Sequence, residues 1–200
     1  MKCSMLAIFS LIILLTGCGP STKIEKSWSD PSLKTSGPKP FNKILVIGLL
    51  KDESTRRIAE DKMVSAIKAS TAVQSYRYLQ PGDTKDNTTE VGERMKKDGF
   101  DGIVIMRLAD MEKSMNYVPG TTYGGWGGYY GYGYAMYGSP GYYTEDKTYY
   151  VETNVYSLGE DKLLWSGMTS TINPSKTDKM IDDIIIAIRD QMKKEGLIKK

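Results

Sequence analysis

Two short, almost wholly apolar runs limit the fold of this chain more than any other feature. They are Lys43-Ile44-Leu45-Val46-Ile47-Gly48-Leu49 and Gly102-Ile103-Val104-Ile105-Met106-Arg107-Leu108. A strand with one wet face alternates apolar and polar residues. A continuous run rich in branched residues suits a strand covered on both faces. Such strands need helices above and below, and the intervening sequence supplies them. Ile58, Ala59, Met63, Ala66 and Ile67 recur at helical spacing, Ser54 is placed to cap the first turn, and Arg56, Glu60 and Lys68 fall mostly on the other face. Gln74 to Leu79 reads as a further strand, ended by Pro81-Gly82. Asn87 with Glu90 resembles a capping box for a short helix carrying Val91 and Met95. Lys96 and Lys97 suit that helix's negative end, and Gly99 suits its C′ position. Strand, helix, strand, helix, strand implies right-handed crossovers and a parallel core sheet.

The pattern changes afterwards. Lys147 to Ser157 and Leu163 to Thr171 alternate, and Leu158-Gly159-Glu160-Asp161 separates them, which predicts an antiparallel hairpin. Tyr149, Val151, Thr153 and Val155 share one face, and Leu163, Trp165 and Gly167 are expected to meet them. Ser175-Lys176-Thr177-Asp178 forms a loose capping box. Behind it Ile181, Ile184, Ile185, Ile188 and Met192 make an apolar helical stripe, closed by Gly196. The expected fold is α/β: a single three-layer-like domain over residues 41–200, with a mixed sheet built as β-α-β-α-β, an antiparallel hairpin and a C-terminal helix.

The N-terminus carries a different signal. Lys2 precedes an apolar run from Met5 to Leu15, which is too short to span a bilayer comfortably as a helix. Leu15-Thr16-Gly17-Cys18 closes it and resembles the lipobox of bacterial lipoproteins. Residues 1–17 are then the signal peptide, cleaved between Gly17 and Cys18, and Cys18 carries a diacylglyceryl group. An ordinary secretory signal with a coincidental cysteine would carry a small-residue A-x-A cleavage site, which is missing. Residues 18–40 read as the lipidated cysteine and a flexible tether rich in Ser, Pro, Gly and Lys. Trp28 either docks on the domain or stays exposed. Acyl chains contribute about 0.8 kcal/mol per buried CH₂, so a multiply acylated cysteine anchors stably. Gly19 stands where an Asp commonly retains a lipoprotein in the inner membrane. The expected address is therefore the outer membrane, on its periplasmic face, with the inner membrane as the alternative.

Composition narrows the chemistry. The chain has no histidine, and of its two cysteines Cys3 leaves with the signal while Cys18 is lipidated. His-based acid/base catalysis, Ser-His triads and the usual zinc sites are excluded. No metal and no cofactor is expected beyond the covalent lipid. The formal charge of +3 is too balanced for nucleic acid to be a partner. Carboxylate pairs remain: Asp52-Glu53, Glu60-Asp61, Asp110 with Glu112, and Asp182-Asp183. Asp52 and Glu53 follow a strand's C-terminal end, where open α/β sheets bind ligands, but they also precede a helix N-terminus that favours acids. Arg56, Arg57 and Arg107 are candidate anion ligands or surface charges. No catalytic residue is assigned.

Between Tyr117 and Tyr143 the composition shifts. Nine of the 14 tyrosines and nine of the 20 glycines fall there. Such a stretch suits a long exposed loop better than a packed element. Tyr123, Trp126, Tyr129, Tyr130, Tyr132 and Tyr134 are the candidate partner contacts, since tyrosine offers a flat apolar ring and a hydroxyl at small entropic cost. An envelope protein or peptidoglycan would suit these rings. A variable insertion without a specific partner is the alternative.

Trp28-Ser29-Asp30-Pro31, Phe41 to Gly48, Arg56 to Asp61, Phe100 to Val104, and Tyr156-Ser157-Leu158 through Leu164-Trp165-Ser166-Gly167 resemble a group of small uncharacterised bacterial lipoproteins. The element order is also similar to α/β envelope domains such as the curli-secretion lipoprotein, the outer-membrane activators of penicillin-binding proteins and the N-terminal domain of TolB. These resemblances imply a tethered binding or assembly module. Two further readings stand beside it: a carboxylate-dependent hydrolase of envelope glycans or nucleotides using Asp52, Glu53 and Asp110, and a purely structural envelope lipoprotein.

Overall fold

The computed structural model describes residues 22–33, 40–83, 85–118 and 142–198. Its strands are β1 (Thr22–Ser29), β2 (Lys43–Leu49), β3 (Thr71–Gln74), β4 (Gly102–Val118), β5 (Tyr142–Ser157) and β6 (Lys162–Ile172). Its helices are α1 (Glu53–Ala66), α2 (Ser75–Tyr78), α3 (Thr88–Lys97) and α4 (Thr177–Lys194), with one 3₁₀ turn at Lys85–Asn87. The strands form one mixed sheet in the order β1-β6-β5-β4-β2-β3. β2 runs parallel to β3 and β4, and the remaining pairs are antiparallel. The expected α/β domain with a mixed sheet is the one observed.

Side chains alternate across the sheet and so feed two cores. Ile44 and Val46 of β2, Val104 and Met106 of β4, Val151 and Val155 of β5, and Trp165 of β6 pack under α1 and α4. The α4 stripe is buried in that core as its spacing requires. Leu45, Phe100 and Leu158 pack with Met95 of α3 on the other face. Both helix ends close as expected. Gly99 and Gly196 take φ of +83° and +81°. At the first, Phe100 N–H donates to Met95 O and Gly99 N–H to Lys96 O; at the second, Leu197 N–H donates to Met192 O. The pairs Phe100/Met95 and Leu197/Met192 are buried, which completes the apolar contact of such caps.

Several expectations are corrected. Thr22–Ser29, read as part of the tether, is an edge strand antiparallel to β6, with the Thr22 and Thr171 hydroxyls 2.7 Å apart. Trp28 projects from it, half exposed. Gln74 to Leu79 is not a strand: β3 ends at Gln74, and Ser75–Tyr78 turns into α2. Asp52 caps α1 in place of Ser54, accepting from Thr55 N–H at 2.8 Å. The Asn87 amide donates to Gly82 O at 3.1 Å, not back into a capping box. At α4 the cap position is Lys176, with no side-chain cap bond. Glu60 lies on the buried face of α1, whereas Ile58 is exposed. Leu163 pairs with Tyr156 because Leu164 is an extra residue in the ladder, so Trp165, Gly167 and Thr169 are the residues opposite Val155, Thr153 and Val151.

The largest departure is the length of β4 and β5. They stay paired from Gly102↔Ser157 to Val118↔Tyr142, well past the Leu108 end expected for the third strand. Ala109 is the extra residue between the Leu108↔Val151 and Asp110↔Tyr150 pairs. Beyond Thr148↔Ile172, the last β5–β6 pair, β4 and β5 continue as a two-stranded arm.

Candidate binding surface

Gly17 and Cys18 lie outside the described residues, as do Tyr123, Trp126, Tyr129, Tyr130, Tyr132 and Tyr134. What the structure places is the scaffold beside them. Thr22, Thr171, Tyr149 and Met111 form one row across β1, β6, β5 and β4. β1 begins at that row, and the arm continues past the same row. The segment between Val118 and Tyr142 begins and ends at the arm's far end.

Polar bonds brace the arm at its base. Asn173, in the left-handed region at φ +45°, donates from Nδ2 to Asp146 Oδ1 at 2.6 Å and accepts from Lys147 N–H at 2.8 Å. Asn is among the residues that best tolerate that conformation. Asn116 Nδ2 donates to the other Asp146 oxygen at 2.6 Å. On the same face the Tyr150 hydroxyl donates to Glu112 at 3.0 Å. That bond to a carboxylate raises the Tyr150 pKa, since losing the proton would set two anions together. Farther out, Met115 is 79% exposed and Tyr143 71%.

Two grooves open near this row. One, of about 270 Å³, lies at the C-terminal end of β2 and beside the middle of β4, between the N-termini of α1 and α4. Leu50, Leu108, Tyr149, Pro174 and Met180 line it, with Thr55 at its edge. It is mainly apolar. The other lies on the face away from α1 and α4, among Lys23, Lys26, Glu25, Asp110, Glu112 and Tyr150. The first is where open α/β sheets bind ligands, yet Asp52, Glu53 and Asp110 do not line it.

The candidate carboxylates are held apart by separate partners. Asp52 accepts from both the hydroxyl and the N–H of Thr55, and these bonds lower its pKa. Glu53 is paired with Arg57 at 2.8 Å and Arg56 at 2.9 Å, Arg57 being the larger cause of its lowered pKa. Asp61 accepts from Gln74 and the Tyr76 hydroxyl. Asp110 accepts from Met111 N–H. Asp182 holds Lys62, Asp183 holds Lys179, and Arg107 pairs with Glu152. Among the described residues, no three His, Cys, Asp or Glu side chains are grouped to hold a metal ion.

Sequence reasoning offers Glu60 as half of a carboxylate pair on the polar face and misses its burial. Its side chain is 1% exposed, and its Oε1 accepts from Gly48 N–H at 2.9 Å and the Ser75 hydroxyl at 2.6 Å. Its Oε2 faces Tyr76 N–H at 3.4 Å. The signal was its phase: position 60 repeats with Met63 and Ile67 on the inward face. Glu60 joins β2, α1 and α2.

The motifs that carry the family resemblance have similar duties. Asp101 accepts from Asn42 N–H, Asn42 Nδ2 and Lys43 N–H, at 2.8 to 3.0 Å. The Phe41 ring packs on Gly102, where a Cβ would lie 2.8 Å from it. Trp165 lies across Gly167 and donates to Glu195 at 2.6 Å. Asp30 accepts from Ser32 N–H and pairs with Lys162. These residues build the fold.

No family model matches the chain, and no curated protein does. Solved structures with a similar course include PelC from Paraburkholderia phytofirmans, described as a dodecamer: TM-score 0.42, 10% identity, 84% of this chain and 93% of that one. Another is the lipoprotein GNA1162 from Neisseria meningitidis: TM-score 0.42, 12% identity, 76% of this chain and 99% of that one. Likenesses at this level carry no weight for what this chain does.

Proposed function

We propose that this chain is a lipid-anchored protein of the bacterial envelope whose domain is a binding or assembly module. The address comes from the lipobox at Cys18: the periplasmic face of the outer membrane. The observation that carries the binding reading is the shared row of Thr22 and Met111, which puts the start of the folded domain and the root of the braced arm at one end of the sheet. A partner is then met close to the anchor. Tyr123, Trp126, Tyr129, Tyr130, Tyr132 and Tyr134 supply the contacts, and an envelope protein or a peptidoglycan strand suits their rings.

The hydrolase reading loses support. Asp52 and Glu53 are occupied at the α1 N-terminus, Asp110 lines the other groove, and neither groove collects all three. Crosslinking in intact cells tests the module. With residues 120–138 deleted, crosslinked partners of the wild-type chain should be lost while the domain stays folded and anchored. An unchanged set of partners would refute the contact role.

A further inference from the structure

We infer that the outer part of the β4–β5 arm rests in the membrane interface, so that the arm is a second, non-covalent contact with the lipid surface. This rests on Cys18 being the lipid anchor.

Reach is the first argument. From the row Thr22–Thr171–Tyr149–Met111 the arm continues seven residues to Val118 and Tyr142. At about 3.4 Å per residue that is roughly 24 Å. Cys18 precedes Thr22 by four residues, and a fully extended chain of that length spans at most about 14 Å. β1 and β6 are antiparallel, so the N-terminal end of β1 lies at the end of the sheet from which the arm projects. An anchor on the shorter leash brings the longer arm to the bilayer.

Surface chemistry is the second argument. Near its root the arm is charged on both strands: Lys113 and Lys147 flank Glu145, and Asp146 takes the Asn116 and Asn173 amides. From Ser114 through Thr144 the sequence has no Asp, Glu, Lys or Arg, although 26% of the chain is charged. The charges stop where the arm passes the tether's reach. On the outer part, among the described residues, the exposed large side chains are Met115 and Tyr143; Met115 registers with Glu145, and Tyr143, two residues along β5, shares that face. Aromatic rings with a polar tip favour the headgroup region. A soluble acidic or basic partner would want charge there, and a lipid surface does not.

Rigidity is the third. Asn173 and Asp146 tie the arm's root to the β6–α4 turn, so the arm is held out from the sheet.

The test uses the lipidated full chain in vesicles of phosphatidylethanolamine and phosphatidylglycerol. The mature chain offers no free thiol, so Met115→Cys and Tyr143→Cys each accept one environment-sensitive fluorophore. Gly159→Cys, in the exposed turn at the opposite end of the sheet, is the control. The labels at 115 and 143 should shift to the blue and lose intensity when spin-labelled lipid is added, and the label at 159 should do neither. Labels at 115 and 143 that stay as wet as the one at 159, in a chain shown by mass to be acylated and anchored, would overturn the inference while leaving the anchor intact. Protection that appears only in native membranes would point to a protein at the arm and overturn it as well. A chain without acyl groups on Cys18 would remove both the anchor and the inference.

Discussion

Glu60 shows how a single buried carboxyl organises three elements. Its oxygens accept from Gly48 of β2 and from Ser75 and Tyr76 of α2, while its backbone belongs to α1. Glu60→Ala would strand the Gly48 N–H and the Ser75 hydroxyl away from water, at about 1–3 kcal/mol for each buried group left unpaired. The expected loss is about 3 kcal/mol, read as a lower urea midpoint; a midpoint within error of wild type would contradict the role. Sequence pattern alone places this residue on the polar face of the helix, in a carboxylate pair open to acid/base or metal work. Helical phase marks a position as inward, but charge argues for outward. Only the unpaired donors of a neighbouring element decide between them, and those donors are remote in sequence or lie in a segment that reads as a strand.

At the scale of elements, the parts legible from sequence were those facing a core. β2, the inner half of β4, the β5–β6 hairpin and α4 all carry apolar periods because each buries a face. The outer half of β4 and the start of β5 bury neither, so no period marks them, and the extra residue Ala109 breaks the alternation at the root. β1 escaped for the same reasons. It buries one face at a sheet edge, and Glu25 is an extra residue between Ile24 and Lys26. Residues Gln74 to Leu79 misled in the opposite direction: Tyr76, Tyr78 and Leu79 have strand-like composition, but Ser75 and Tyr76 bind Glu60 and open a helical turn. The β6 core depends on a glycine for close approach. A Cβ on Gly167 would lie 2.1 Å from the Trp165 indole, which is also fixed by Glu195. Gly167→Ala is therefore expected to cost about 2 kcal/mol by overpacking. Urea unfolding with an unchanged slope would register it. Full wild-type stability would mean that the indole is free to move aside.

For the whole molecule, the candidate site was only partly legible. The lipobox and the tyrosine-rich segment stand out by composition, but their relation does not. They are about a hundred residues apart, and only the row from Thr22 through Thr171 and Tyr149 to Met111 brings their roots to one end. The carboxylates that sequence offers as chemistry are each engaged in a cap, an ion pair or a hydrogen bond. No helix among the described residues is long and apolar enough to cross a membrane. The covalent anchor proposed is Cys18. The direct measurement is fractionation of Cys18→Ala beside wild type, with the intact mass of each. Wild type should sediment with membranes as a chain that starts at Cys18 and carries acyl groups, and Cys18→Ala should appear in the soluble periplasmic fraction. Cys18→Ala that stays tightly membrane-bound, or a wild-type Cys18 without lipid, would contradict the account.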